Sequence, residues 1–344
     1  YDIAVSATDE VGTVTNSNLL VASRGNNTFY LLDGNTGAVV STLEATAALD
    51  SAGEVTFGPD GNIYAVSSGN DSVLKYDGST GDFLGTFVPA GSGGLDNPQS
   101  LTFGPDGHLY VGSYSTNEVL RYDGSTGAFI DVFIAAGEGG LAEPNSLQFG
   151  QDGDLYVGSW VNHNVSRFDG QTGAFIEEVA DVGASQFQTD FAFGPDGLLY
   201  VGHTTSLYEE IMVFDPATGT EVNSIEVGGG PYAITFGPDG YLYASKWTWD
   251  KVEVWDTATE TLVRVFADSS IGLDNTWGIA FSPTQQVYVN DVNVAPAISL
   301  PGGPLDYTDG DGAVVIDSTA TVTDNDPGDL DTGTLTIDFT AGAS

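Results

Sequence analysis

One turn motif, Phe-Gly-Pro-Asp-Gly or a near variant, returns along this chain at an almost fixed interval, and nothing else in the sequence constrains the fold as strongly. Its phenylalanine falls at Phe57, Phe103, Phe149, Phe193, Phe236 and Phe281, spaced 43 to 46 residues apart. A second turn, fullest as Asp123-Gly124-Ser125-Thr126-Gly127, follows the same rhythm from Asp33, Asp77, Asp123, Asp169, Asp215 and Asp256. Proline presets φ in the first turn, and glycine supplies the positive φ both turns need. Between the turns lie short alternating or β-branched apolar runs, clearest at 101–103, 109–113, 119–122 and 129–133. Four antiparallel strands to a unit of this length, repeated, predict an all-β chain folded as a β-propeller of four-stranded antiparallel blades.

The number of blades depends on closure. Residues 18–43 form a first unit in which Thr15-Asn16-Ser17-Asn18 replaces the Gly-Pro-Asp-Gly turn, and five units follow to about residue 267. A half-unit, 277–291, supplies two more strands. Rings close by joining strands from both termini, which removes free edges. If residues 2–7 complete the half-unit, the ring has seven blades. If residues 277–281 become the inner strand of the first unit, it has six, and residues 287–290 are orphaned. Seven leaves fewer orphans and is the count the sequence favours.

Residues 1–292 are therefore read as the propeller and 293–344 as a linker followed by a second β segment. Val294-Ala295-Pro296 and Pro301-Gly302-Gly303-Pro304 mark the linker and a first turn. Strand-like runs follow at 313–316, 320–323 and 334–339. An Ig-like sandwich needs about 100 residues, so this tail reads as an incomplete one, finished by further sequence or by another chain. The chain starts at Tyr1, which reads as a processed or excised piece.

Charge narrows the function classes. There are 48 acidic residues against 7 basic ones, a net charge of −41. With no Lys/Arg cluster, nucleic acid and anionic membrane surfaces are poor partners. No apolar run approaches the ~18 residues of a membrane span. The absence of cysteine removes disulfides and thiol chemistry. Two carboxylates about 6 Å apart repel by roughly 0.7 kcal/mol in water, so the sum matters more than any pair. High salt and calcium both relieve it, and either favours an extracellular or cell-surface setting.

The runs Asp106-Gly107-His108-Leu109-Tyr110-Val111 and Val119-Leu120-Arg121-Tyr122-Asp123-Gly124-Ser125-Thr126-Gly127 resemble the NHL-like propeller repeats of large bacterial secreted and surface proteins. That resemblance spans about 18–291 and implies fold rather than function, since such blades serve binding proteins, lyases and lactonases. Leu305-Asp306-Tyr307-Thr308-Asp309-Gly310-Asp311-Gly312, with Thr321-Val322-Thr323-Asp324-Asn325-Asp326 and Thr334-Leu335-Thr336-Ile337-Asp338-Phe339, is similar to the start of the cadherin-like or Calx-like calcium-associated repeats of bacterial adhesins.

Propeller sites form where loops enter the innermost strands, here the runs ending in the repeated phenylalanine. Three residues before it stand Glu54, Ser100, Ser146, Asp190, Ala233 and Gly278, and four before it Gly53, Gln99, Asn145, Thr189, Tyr232 and Trp277. Glu54, Asn145 and Asp190 are oxygen ligands placed to face one another across the channel. The gluconolactonase-like propellers hold a divalent ion with such groups, and the alternative is a solvated acidic mouth. In the tail, Asp324, Asp326, Asp329 and Asp331, joined by Asp309 and Asp311, alternate oxygens on flexible turns that suit calcium. His108 and His163 read as loop residues. His203 ends a strand where Ser113 and Ser159 stand in other units, and with Glu209 and Glu210 it is the one candidate for a lyase-like His–Glu pair.

The repeated tyrosines, from Tyr64 to Tyr288, read as packing between blades. Trp160, Trp247, Trp249 and Trp277 lie off that register and would suit a glycan or protein surface. The expectation is a non-enzymatic extracellular bacterial surface or matrix protein. Its propeller is a rigid binding module, and its calcium-associated tail or residues 1–14 add a strand to a neighbouring copy, building a homopolymer. The alternatives are a lactonase- or lyase-like enzyme with a divalent ion at the channel mouth, and a carbohydrate-binding lectin.

Overall fold

The structure is a computed structural model and describes residues 8–9, 12–13, 17–44, 46–183, 187–204 and 209–282, with three short strands beyond, 297–300, 303–305 and 321–323. Residues Ser17–Pro283 form one compact unit. It contains six four-stranded antiparallel sheets, five of them ordered from inner to outer strand along the chain and the sixth taking its inner strand from the end of the unit. The inner strands are Ala52–Phe57, Pro98–Phe103, Pro144–Phe149, Phe187–Phe193, Pro231–Phe236 and Thr276–Phe281. These sheets are blades two to six and, with the last strand, blade one.

Blade one corrects the favoured count of seven. Thr276–Phe281 pairs antiparallel with Leu19–Ser23, Ile279 opposite Val21 and Phe281 opposite Leu19. Thr28–Leu32 and Val39–Thr42 complete that sheet. The physical reason is edge burial: every residue of Leu19–Ser23 is buried, so an unpaired inner edge there would strand backbone groups away from water. The expected strands at 2–7 and 287–290 lie outside the described residues.

The repeated residues form one interlocking device. Each tyrosine hydroxyl in the second strand donates to the turn aspartate four residues earlier, Tyr64 to Asp60, Tyr110 to Asp106, Tyr156 to Asp152, Tyr200 to Asp196 and Tyr243 to Asp239, at 2.8–3.0 Å. The same rings meet edge-on the phenylalanine of the next inner strand, as in Tyr64–Phe103 and Tyr243–Phe281, both at 4.8 Å between centroids. The tyrosines are thus blade-to-blade packing. Blade one lacks the turn aspartate and has Leu20 at the tyrosine's position, fully buried beside Phe57. Without an acceptor a buried hydroxyl would be left unsatisfied, so an aliphatic side chain fits better.

Three of the seven basic residues flank this device. Lys75, Arg121 and Arg167, opposite the tyrosines in the third strand, pair with Asp60, Asp131 and Asp154 at 2.8, 2.6 and 2.7 Å. In the outer hairpins Asp33, Asp77, Asp123 and Asp169 accept the backbone N–H groups of the residues two and three further on.

A second compact unit comprises residues 1–16 and 284–344. There Thr8–Asp9 pairs with Gly12–Thr13, and Ala297–Leu300 lies between Gly303–Leu305 and Thr321–Thr323. Leu300 pairs with Gly303 in that sheet, and residues 301–302 of the expected turn lie outside the described residues. The runs at 313–316 and 334–339, and Asp309, Asp311, Asp324, Asp326, Asp329 and Asp331, lie outside the described residues.

Candidate functional site

The six inner strands surround a channel of about 280 Å³, lined by Glu54, Ser100, Ser146 and Asp190 in one layer and by Thr102 and Gln148 among others deeper in. Glu54 and Asp190 are the acidic residues of that lining. Both are half-buried, yet protein encloses them so closely that burial raises the pKa of each. Asp190 rises to about 7, although the N–H groups of Ile234 and Phe191 favour its charged form. Glu54 rises well above the usual carboxylate range, through burial first and the charge of Asp190 second. Asp190 Oδ2 accepts from the Ile234 N–H at 2.9 Å, which anchors it to blade six.

Asn145 sits in the next layer outward. Its Nδ2 donates to the carbonyls of Gln188 and Thr189 at 3.0 and 2.7 Å, while its Oδ1 has no hydrogen-bond partner. Gln188 repeats the pattern, with Nε2 donating to Ser146 Oγ at 3.0 Å and Oε1 unpartnered. Asn145 is 8% exposed and Gln188 0%, so both oxygens cost desolvation without an internal bond. The structure therefore places Glu54 and Asp190 on the channel and Asn145 in the layer above them. Among the described residues no group of three or more His, Asp or Glu side chains is arranged to hold a metal. Calcium takes six to eight oxygens. Two carboxylates and an amide oxygen fit a hard cation only as part of such a set.

The opposite side of the mouth is aromatic. Arg24 lies with its guanidinium carbon 4.1 Å from the centre of the Trp277 ring. Trp277 packs on Tyr232 at 3.6 Å, and Tyr232 lies 6.4 Å from Trp247. Burial lowers the pKa of Arg24 and raises that of Tyr232. The Trp277 carbonyl accepts from Ser245 Oγ at 2.7 Å, fixing the strand that carries the indole. Trp247 and Trp249 remain 40% and 48% exposed. Lys251 covers one face of Trp249 at 4.3 Å.

Sequence reasoning missed Arg24 and Lys246. In four blades the second strand ends in serine, whose hydroxyl ties the strand to the loop entering the inner strand. Ser23 bonds Asp274, Ser67 bonds Asp50, Ser113 bonds Asp96 and Ser159 bonds Ala142. Blades five and six have His203 and Lys246 there, both fully buried. Lys246 Nζ donates to the Gly228 and Val227 carbonyls at 2.7 and 3.3 Å, the serine's job done by a longer arm. Burial brings its pKa down to about 7 against the pull of Glu253. His203 Nε2 lies 3.2 Å from Glu210 Oε1, without the alignment of a hydrogen bond, and burial lowers its pKa despite that carboxylate. The alignment of these positions against four serines was the signal available.

The ring, its terminal closure and its channel define the class: a six-bladed β-propeller. No family model matches the chain, and no curated protein matches it. Solved structures do. A chain from a crystal structure of a nidogen/laminin complex aligns with TM-score 0.63 and 15% identity, covering 78% of this chain and 99% of that one. A protein of unknown function from Bacteroides caccae gives TM-score 0.58 at 15% identity, with coverages of 78% and 99%. Hydrazine synthase of Kuenenia stuttgartiensis gives 0.56 at 19%, with coverages of 70% and 74%. Identities this low establish the fold alone.

Proposed function

We propose that this chain is a non-enzymatic recognition and structural module of an extracellular bacterial surface or matrix protein. The ring supplies rigidity, and the channel mouth at the seam of blades six and one binds a protein or glycan partner. The observation that carries this reading is the row Arg24, Trp277, Tyr232 and Trp247. These side chains come from four separate segments, and the row ends in an exposed indole. Aromatic and arginine side chains gathered at one place are the usual anchors of binding. The nidogen/laminin complex is an assembly between proteins, which supports use of such a ring in binding a protein partner. Kinship to NHL-like repeats and a cadherin-like tail that binds calcium through Asp309, Asp311, Asp324, Asp326, Asp329 and Asp331 belong to the same proposal. So does strand addition between copies.

The test is retention of the labelled protein on immobilised cell-surface polymers and matrix proteins. Trp247→Ala abolishes retention, and Phe129→Ser on the outer rim leaves it intact. Retention indifferent to Trp247 sinks the reading. For the tail, melting with calcium is higher than melting with chelator at matched ionic strength; identical curves remove calcium from the proposal.

A second reading, an enzyme using a hard cation at Glu54 and Asp190, is favoured by one observation. The two carboxylates share a channel, and burial raises the pKa of both. Metal-dependent turnover of lactone or ester substrates, lost in Asp190→Asn, decides for it; no turnover across such a panel decides against it.

A further inference from the structure

We propose that the mouth at the seam of blades six and one is a subsite for a uronic acid residue of a glycan, with Arg24 receiving the carboxylate. This assignment rests on the reading of the mouth as a recognition surface and names its ligand.

Arg24 differs from the other six basic residues. Lys75, Arg121 and Arg167 are ion-paired, Lys246 and Lys251 share Glu253, and Arg264 donates to the Asn35 carbonyl. Arg24 has no carboxylate within ion-pair distance among the described residues, and its guanidinium Nη1 is shut off from solvent with no hydrogen-bond partner. In a chain with 48 acidic side chains a half-buried cation whose nearest acidic influence, Asp50, acts from beyond ion-pair distance is costly. With its guanidinium carbon 4.1 Å over the Trp277 ring, Arg24 makes its hydrogen bonds through the guanidinium edge, which suits a planar, two-oxygen acceptor. A carboxylate matches that edge. A dianionic phosphate would bring a second negative charge toward Glu54 and Asp190, both close enough to act on neighbouring Tyr232.

The remainder of the site has the chemistry of a sugar. Trp247 is exposed and continues the row beyond Tyr232, giving a platform for the C–H face of a pyranose ring. Across the mouth, Asn145, 8% exposed, has its amide nitrogen tied to blade five and its oxygen without a hydrogen-bond partner. That oxygen is an acceptor, and a hydroxyl group is the donor that satisfies it. An acidic peptide offers the carboxylate but no ring of hydroxyls. Long-range repulsion from the net charge is confined by screening to about 8 Å at physiological salt.

The experiment is a tryptophan-fluorescence and calorimetric titration at 0.15 M salt with trigalacturonate, maltotriose and an Asp-Glu-Asp peptide. Trigalacturonate quenches and binds at least about tenfold tighter than maltotriose, the scale of one charge-assisted bidentate pair. Arg24→Gln reduces that preference to none, Arg24→Lys keeps part of it, and Trp247→Ala weakens both sugars. The proposal is overturned by absent binding, by equal affinity for acid and neutral sugar, by a preference unchanged in both Arg24 variants, or by the peptide binding as tightly. Any of these alongside intact, Trp247-dependent retention on surface material removes the sugar-acid assignment alone. Loss of that retention removes the recognition reading beneath it.

Discussion

Gly278 lies against Glu54: a β-carbon placed on Gly278 would stand 2.8 Å from the Glu54 Cα and 3.1 Å from its carboxyl carbon. The glycine is thus what lets the closing strand of blade one approach blade two where the acidic side chain enters the channel. Gly278→Ala forces one backbone to move, and overpacking of this kind costs about 1–3 kcal/mol. Denaturant unfolding reads the loss. The raised pKa of Glu54 falls as its surroundings loosen. A variant as stable as the parent would show that the two strands have slack.

Asp190 makes stability depend on pH with a definite sign. Its folded pKa of about 7 stands above the value of about 4 in an unfolded chain. Between those values the folded state keeps a proton the unfolded state has released. Stability therefore falls as pH rises through the window. Asp190→Asn flattens that fall, and Glu54 adds to the flattening because it loses a like charge. His203, with a lowered pKa, acts in the opposite sense below about pH 6.5. It is common to both proteins, so the difference between their urea midpoints at pH 5 and pH 7 isolates the channel. Parallel profiles would contradict the enclosure of Asp190.

Lys246 works in the adjoining window. Its folded pKa is about 7 against about 10.4 unfolded, so between them the unfolded chain holds the extra proton. Stability rises with pH there, with a limiting slope of about 1.4 kcal/mol per unit. Lys246→Met keeps the stem, loses the donor to the Gly228 and Val227 carbonyls, and abolishes the rise between pH 7 and pH 9. An unchanged slope would mean that the ammonium stays charged in the fold.

The blade was legible because its determinants are local: proline and glycine in the turns, aspartate four residues before tyrosine, alternation between. The same repeat register carried Glu54 and Asp190 to the channel. Asn145, in that register too, turns its amide nitrogen to a neighbouring blade, which spacing cannot reveal. The number of blades was not legible, because closure pairs residues more than 250 apart, as Thr276 with Ser23, and the first unit lacks the turn that marks the others. The Arg24–Trp277 stack joins a loop to that same closing strand, so it was hidden with it. Lys246 was visible in principle, as the one cation at a position held by serine in four blades, but register alone does not say that it is buried.

Closure also makes a prediction about where the ring opens first. Thr276–Phe281 returns to Leu19–Ser23 across the whole propeller, and the Ser282 N–H donates to the Asn18 carbonyl at 2.7 Å while the Asn18 N–H donates to Ser282 Oγ at 2.8 Å. Every other blade is a run of consecutive strands and pays far less loop-closure entropy to form. Ile279, 5% exposed at the centre of the closing strand, is the side chain that most offsets that cost. Ile279→Ala removes about 2–5 kcal/mol of packing. Because only blade one depends on the distant strand, the loss appears locally. Amides of Leu19–Ser23 and Thr28–Leu32 exchange by partial opening, while those of Leu109–Ser113 and Leu155–Ser159 keep their protection. Hydrogen exchange resolved by strand measures this directly. Equal loss of protection in blades one, three and four would mean that the six sheets open as a single cooperative unit and that the seam is no weaker than any other joint.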